Sequence, residues 1–246
     1  MKKIFFILFI FLMFGLAGCK PKDKGNKNDV DFFQYLLNTQ EEYEDSESGN
    51  IKITVINEGV TTTLEYVYNY SGNVIKSLKV VLTEGDTTME AYIKDNYSYV
   101  NIDGVKTKER FFDSESRAII ESYGFTQLTE SVFDAFDKSL FGAFEVVSNE
   151  NGEAQLDWNP DKYVFLDDDI QDNPEEWIKA DERFRAVKDN ISDITVTLKY
   201  ADEKVTSLDS TWKDKDNVES KIKIEFNGTG TQTITYPSDL NEYIDR

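Results

Sequence analysis

The stretch TTTLEYVYNYSGNVIKSLKVVLTEGD, residues 61–86, contains two segments in which apolar and polar residues alternate. One face of the first segment carries Leu64, Tyr66, Tyr68 and Tyr70, and one face of the second carries Leu78, Val80 and Leu82. Successive side chains of a β-strand point to opposite faces, so this period of two predicts two strands with one buried face each. Ser71-Gly72-Asn73 separates them and Glu84-Gly85-Asp86 follows, as turn residues do. The stretch therefore predicts a β-hairpin.

The same pattern continues on both sides of this hairpin. IKITVINEG precedes it, and TMEAYIKD and YSYVNIDG follow it, with turn residues between the segments. In the last third of the chain, ITVTLKY, VTSLDSTWKD, SKIKIEFNG and TQTITYP are further candidate strands, and NGTGT is the turn between the last two. Short strands joined by hairpin turns predict an antiparallel meander. The sequence leaves open whether the two β regions, about residues 50–110 and 191–237, form one sheet or two lobes.

Helical spacing appears before and between these β regions. Residues 30–44 place Phe32, Phe33, Leu36, Leu37 and Tyr43 on one side, and Asp29 or Asp31 can cap the helix that they predict. Residues 114–190 are mostly helical in pattern, apart from a hairpin-like segment over residues 144–158. The predicted fold class is therefore α+β: a curved antiparallel β-sheet with helices packed on its concave face.

The N-terminus has the features of a lipoprotein signal. A basic start is followed by an apolar stretch over residues 4–18, which matches a secretory h-region and is shorter than the ~20 residues of a membrane-spanning helix. Leu16-Ala17-Gly18 then leads into Cys19, the only cysteine, and resembles a bacterial lipobox. The expectation is a signal peptide over residues 1–18 and a lipidated Cys19; the alternative is an uncleaved anchor helix with an incidental cysteine. In both cases the domain lies outside the cytoplasm, attached to a membrane.

Residues 19–30 are predicted to form a flexible, lysine-rich tether. They contain almost nothing apolar, and their lysines are either solvated or close to anionic lipid headgroups. Residues 31–246 then form a single extracytoplasmic domain.

Composition excludes several classes of function. With 27 basic and 47 acidic residues the net charge is −20, which argues against nucleic-acid binding because phosphate contacts need clustered Lys and Arg. There is no histidine, which excludes Ser-His-Asp and Cys-His catalysis and His-ligated zinc. Carboxylate chemistry remains open, but no local feature singles out one pair among so many acids. The sequence predicts a protein that is not an enzyme and needs no cofactor.

One segment has a weak resemblance to a calcium loop. Asp157, Asn159 and Asp161 occupy first, third and fifth positions and Asp168 the twelfth, the spacing of an oxygen-ligand loop. Lys162 stands where that loop needs glycine, and Pro160 interrupts it. The competing interpretation is an acidic helix N-terminus favoured by the helix dipole.

Aromatic residues make up 13% of the chain and concentrate on the predicted strands and helix faces. A sheet covered by helices can leave an apolar cavity between the two layers, where a hydrophobic ligand binds. The candidate lining residues of such a cavity are Tyr66, Tyr68, Phe133, Phe136 and Phe141. The competing interpretation is an ordinary aromatic core without a cavity.

The end of the chain, KIKIEFNGTGTQTITYPSDLNEY, resembles the tail of the LolA/LppX-like bacterial lipoproteins: a strand, a Gly-rich turn, a last strand that ends in Ile-x-x-Pro and a short acidic end. The resemblance implies a half-barrel sheet that wraps helices, and binding of a lipid or another hydrophobic ligand. The first functional hypothesis is therefore a lipid-anchored, non-enzymatic lipoprotein that binds a hydrophobic ligand. The alternative is a surface-interaction, adhesin-type or envelope-complex lipoprotein with a solid core, which binds a protein partner.

Overall fold

The computed structural model describes residues 30–72, 74–115, 142–162, 182 and 184–246. It contains one long helix, α1 (Phe32–Asp45). Its strands are β1 (Ser48–Asn57), β2 (Val60–Ser71), β3 (Val74–Glu84), β4 (Thr87–Lys94), β5 (Tyr97–Ile102), β6 (Val105–Arg110), β7 (Phe144–Glu150), β8 (Glu153–Trp158), β9 (Ile191–Ala201), β10 (Lys204–Asp214), β11 (Glu219–Thr229) and β12 (Ile244–Asp245). Short 3-10 helices lie at Pro160–Lys162 and Leu240–Glu242, and residues 184–190 are helical.

The two β regions belong to one sheet. In the described part of the chain the strand order is β12-β6-β5-β4-β3-β2-β1-β11-β10-β9-β8-β7, so β1 pairs with β2 on one side and with β11 on the other. Every pairing is antiparallel except that of β12 with β6, which is parallel. We refer to β1–β6 as the N-terminal arm and to β7–β11 as the C-terminal arm. The predicted α+β class with a large antiparallel sheet is confirmed.

Helix α1 packs on one face of this sheet, which we call the helix face. Its first turn is capped as predicted, because the Asp31 carboxylate accepts a hydrogen bond from the backbone N–H of Gln34 at 3.0 Å. Its buried side chains, Phe32, Leu36, Thr39 and Tyr43, follow helical spacing. They pack against apolar residues of β1, β8, β9, β10 and β11 to form the larger core cluster. A smaller cluster covers the helix face of the N-terminal arm and includes Tyr66, Tyr68 and Phe111.

The C-terminal tail lies on the opposite face, which we call the tail face. The backbone of Gln232 pairs with the Asn69 side chain of β2, and the Tyr236 hydroxyl donates to the carbonyl of Ile93 in β4 at 3.2 Å. The Tyr243 ring then packs edge-on against Tyr99 of β5, and β12 follows at the edge of β6. The tail therefore crosses the N-terminal arm from β2 to β6.

The prediction of a last strand at TQTITYP is wrong. Residues 231–237 have no strand structure, and NGTGT does not join two strands of a hairpin. The physical reason is the position of β11 in the sheet: β10 and β1 occupy both of its edges, so a strand following β11 has no edge there to pair with. The chain leaves the sheet through Gly228 and Gly230, which have φ values of 99° and 92°.

The middle of the chain is only partly described. The predicted hairpin over residues 144–158 is confirmed as β7 and β8. Residues 184–190 are helical, in agreement with the mostly helical pattern predicted for residues 114–190. Residues 116–141, which carry much of that predicted helical pattern, lie outside the described residues. No helix in the part that the structure describes is long and apolar enough to cross a membrane.

Candidate ligand-binding face

Strands β2–β5 present three parallel rows of uncharged residues on the helix face. Their register places one residue of each strand beside one of the next, so each row runs across four strands. The rows are Leu64–Leu82–Met89–Ile102, Tyr66–Val80–Ala91–Val100 and Tyr68–Leu78–Ile93–Ser98. We call these twelve positions the apolar face.

Burial varies systematically across the apolar face. Tyr66, Tyr68, Leu78 and Ile93 are buried, whereas the residues toward the β5–β6 turn are half-buried. The row nearest that turn ends in Ile102, which is 46% exposed, and Val105, its partner on β6, is 68% exposed. Apolar side chains therefore continue from a packed interior to an accessible margin.

Tyr68 lies at the most buried end of the apolar face, and its role as a lining residue stays a prediction. It is completely buried, it stacks on Tyr70 with ring centroids 4.6 Å apart, and its hydroxyl donates to the carbonyl of Tyr43 at 3.5 Å. Burial, followed by the neighbouring Tyr70 and Tyr43, raises the pKa of the Tyr68 phenol. Tyr68 therefore fills the space where β2 passes the C-terminal end of α1.

Tyr66 differs from Tyr68 in its polar end. Its side chain is 2% exposed, and the only polar neighbour of its hydroxyl among the described residues is the buried hydroxyl of Tyr70, which likewise has no partner other than Tyr66. Burial raises the pKa of Tyr66 well above its ordinary value, and the nearby Tyr70 hydroxyl adds to this effect. A buried hydroxyl without a partner is costly, by about 1–3 kcal/mol. These two hydroxyls therefore form a buried polar pair beside the apolar face.

The other predicted site residues are described only in part. Cys19, Phe133, Phe136, Phe141 and Asp168 lie outside the described residues. Of the calcium candidates, Asp157 accepts a hydrogen bond from Gln155 at 3.1 Å, and the Asn159 amide donates to Glu145 at 3.2 Å. Asp161 lies in the 3-10 helix at Pro160–Lys162. Within the described ranges no three His, Cys, Asp or Glu side chains form a metal-binding group, and the calcium loop stays a prediction.

Sequence reasoning missed several residues of the apolar face. The sequence pattern puts Val80 and Leu82 on a shared face of their strand without indicating a ligand site, and it does not distinguish Met89, Ala91 or Val100. Their alternation with polar residues along β4 and β5 was the available signal. The register that aligns them with Tyr66 is a tertiary property, because it depends on the length of each turn.

A concavity at the C-terminal end of α1 is polar. It has a volume of about 570 Å³ and is lined by Asn38, Glu41, Glu42, Asp45, Ser46 and Lys204. Lys204 forms an ion pair with Glu42 at 3.0 Å, and Glu42 also accepts a hydrogen bond from Thr229 at 2.8 Å. This groove joins α1 to β10 and β11, and its lining lacks the apolar character of the apolar face.

Comparison with known proteins gave matches among solved structures alone. No protein-family model matches the chain, and no curated protein matches it. The crystal structure of LprF from Mycobacterium bovis is similar with a TM-score of 0.40 and 10% identity, over 85% of this chain and 97% of that one. A DUF1329 family protein from Desulfovibrio piger has a TM-score of 0.25 and 9% identity, over 86% of this chain and 96% of that one. A LolA superfamily protein from Nitrosomonas europaea has a TM-score of 0.24 and 9% identity, over 82% of this chain and 93% of that one.

Proposed function

We propose that this protein is a lipid-anchored, extracytoplasmic, non-enzymatic protein that binds a lipid or another hydrophobic ligand on its apolar face. The observation that carries the proposal is the uncharged apolar face, beside which the buried hydroxyls of Tyr66 and Tyr70 have no hydrogen-bond partner other than each other in the described part of the chain. A ligand with an acceptor group beside its apolar part would match both features at once. Binding would then supply the hydrogen bonds that this buried pair lacks.

The uncharged character of the apolar face supports an apolar ligand. None of its residues is ionisable at neutral pH, in a chain where 30% of residues are charged. Because an unpaired charge is expensive to bury, the part of the ligand that lies on this face is uncharged. The same lining offers nothing for general acid–base chemistry near neutral pH, in agreement with a binding role.

The anchor in this proposal is an acylated Cys19. The lipobox-like Leu16-Ala17-Gly18-Cys19 and the polar residues that follow it support attachment through two acyl chains, which is sufficient for stable anchoring. We expect the unmodified chain to fractionate with membranes and to incorporate labelled palmitate. The Cys19→Ser variant should lose both properties, and palmitate incorporation into that variant would contradict the anchor.

Native mass spectrometry tests ligand binding directly. Residues 20–246 are purified without detergent, and bound molecules are extracted and identified. A reproducible excess mass that yields a phospholipid, glycolipid or fatty acid would support the proposal. A clean apo mass, with no uptake from offered lipids, would overturn it and favour the surface-interaction alternative, in which a protein partner binds to a solid domain.

Two conservative variants connect binding to the apolar face. Tyr66→Phe with Tyr70→Phe removes both hydroxyls and keeps the rings, so the fold is preserved while occupancy by ligand falls about tenfold, which corresponds to one or two lost hydrogen bonds. Tyr97→Phe is the matched control, because Tyr97 lies on the same arm and its side chain is 38% exposed. Equal ligand occupancy in the unmodified chain, the double variant and the control would show that the ligand does not bind beside Tyr66 and Tyr70.

A further inference from the structure

We infer that the outer edge of β6 is a docking site for an extended acidic segment of a partner protein. In the free protein the chain's own C-terminal residues occupy part of this edge. The site lies at the edge of the sheet rather than on the apolar face, and it does not depend on ligand binding.

The first observation concerns backbone pairing at the edge of β6. On the side away from β5, Ile244 and Asp245 of β12 pair with Thr107 and Lys108, and the backbone N–H of Arg246 donates to the Lys108 carbonyl at 3.0 Å. Among the described residues no other strand pairs with β6 on that side. Unpaired backbone groups at a sheet edge are a template for the addition of another strand.

The second observation is a row of cations on this edge strand. Lys106, Lys108 and Arg110 alternate along β6, so their side chains share the tail face of the sheet. Such a row is unexpected in a protein of net charge −20. Because residues of an added strand lie directly opposite those of β6, this row selects for acidic residues at alternate positions.

The third observation is that the chain's own tail already has this chemistry. Lys106 forms ion pairs with Asp239 and Glu242, and Lys108 forms one with Asp245 at 3.5 Å. Arg110 has no ion pair in the described part of the chain, and its guanidinium lies 5.8 Å from the centre of the Phe112 ring. The tail therefore neutralises two cations of the row and leaves the third to another acid.

The tail is also a weak occupant of the edge. β12 has two residues and Ile244 is 72% exposed, so the apolar contact of this segment comes from the preceding Tyr243, which is buried and packs against Tyr99 of β5. Exposed ion pairs contribute about 0–1 kcal/mol each. A longer strand with alternating acids would pair along the whole of β6 and reach all three cations. A second copy of this chain fits less well, because its body carries the same strong negative charge and its tail has the same short strand.

Binding of a synthetic peptide tests this site in the full chain. The probe is a fluorescein-labelled peptide of about eight residues that alternates Glu with Thr and Val, a length that matches one strand. A variant with D239N, E242Q and D245N weakens the tail contacts and should bind the peptide about tenfold more tightly than the unmodified chain does. Adding K106Q, K108Q and R110Q should remove this binding, and raising salt from about 50 mM to about 500 mM should weaken it.

Two controls separate docking from general charge and from misfolding. The control combines K199Q, K213Q and K221Q, which remove three cations from the C-terminal arm. Introduced into the D239N/E242Q/D245N variant, these three changes should leave peptide binding unchanged. Hydrogen exchange in the unmodified chain should slow at residues 105–110 when peptide is added, a readout that requires no variant. Equal binding of a Gln-for-Glu peptide, or equal loss of binding in the control variant, would overturn the inference. So would a concentration-dependent dimer that disappears in K106Q/K108Q/R110Q, because it would assign the edge to a second copy.

Discussion

Gly49 lies in β1 at the point where that strand meets the rings of Tyr43 and Tyr68. A Cβ atom at this position would come within 2.7 Å of the Tyr68 hydroxyl oxygen and 3.0 Å of a Tyr43 ring carbon. Both rings are buried and fixed by neighbours, so they have little room to move. The requirement for glycine here comes from packing rather than from backbone conformation, since Gly49 is not among the glycines with positive φ.

We therefore predict that Gly49→Ala destabilises the fold by about 1–3 kcal/mol, the usual cost of overpacking. Urea unfolding measures the change in the free energy of unfolding. In the Tyr68→Phe background, which removes the nearest atom, the same substitution should cost less. Strict additivity of the two changes would contradict this contact.

Thr39 is the buried polar residue through which α1 is bonded to β10. Its hydroxyl accepts a hydrogen bond from the backbone N–H of Val205 at 2.8 Å and lies 2.9 Å from the carbonyl of Tyr35, to which it donates. Thr39→Val preserves shape but leaves the Val205 N–H unpaired, so we expect a loss of about 1–3 kcal/mol in the free energy of unfolding. Thr39→Ser keeps the hydroxyl and should cost clearly less. Equal urea midpoints for the two variants would exclude a role for this bond.

The tail that crosses the N-terminal arm is stabilised at its start by Asn69. The Asn69 amide accepts from the Gln232 N–H at 2.7 Å and donates to the Gln232 carbonyl at 3.0 Å and to the Ser77 hydroxyl at 2.8 Å. The Asn69 side chain thus pairs with both backbone groups of Gln232, as a neighbouring strand does in a sheet. Further along, the ring of Tyr236 in the tail packs on Tyr92 of β4, whose side chain is buried.

We predict that Asn69→Ala releases the start of the tail, with a cost of about 1–3 kcal/mol, because two backbone groups of Gln232 lose their partner. Hydrogen exchange should accelerate over residues 232–246 more than over β9 and β10. Asn227→Ala is the control: its amide makes one bond, of 3.3 Å, on the exposed surface, and the change should remain within about 0.5 kcal/mol. Uniform acceleration across the sheet would show global destabilisation instead.

At the scale of the whole molecule, buried tyrosines connect stability to alkaline pH. Burial raises the pKa of both Tyr43 and Tyr92 to about 12, from an ordinary value near 10, and raises that of Tyr66 and Tyr68 as well. A group with a raised pKa holds its proton more tightly in the folded state. Its contribution to stability is therefore complete below about pH 10 and is lost as pH rises toward the folded-state value.

We predict that the free energy of unfolding falls between pH 10 and 12, before Tyr43 and Tyr92 titrate in the folded protein. Absorbance of tyrosinate near 295 nm and circular dichroism, followed together, measure this. Tyr43 and Tyr92 should titrate together with loss of the β signal. Complete titration of all tyrosines near pH 10 with the fold intact would contradict the burial described above.

Local features of the sequence were sufficient for most elements. Alternation along residues 61–86 predicted β2 and β3, turn residues placed the hairpins, and Asp31 with the spacing of Phe32, Leu36 and Tyr43 predicted α1. These signals are local because they depend on side-chain period and on backbone preferences over a few residues. The α+β class followed from the same signals. The tyrosines of the candidate site were placed on one face of β2 for the same reason.

Long-range pairing was decided by the tertiary structure. The sequence could not distinguish one sheet from two lobes, because the contact of β1 with β11 joins segments about 170 residues apart in the chain and has no local signature. The same pairing leaves β11 without a free edge, which is why TQTITYP is not a strand and the tail crosses the tail face. Which hydroxyls of the apolar face have partners is likewise a tertiary matter: Tyr68 and Tyr66 have the same pattern in the sequence, but only Tyr68 lies beside the end of α1. Periodicity thus determined the strands and their buried faces, whereas competition for sheet edges determined where each strand and the tail could lie.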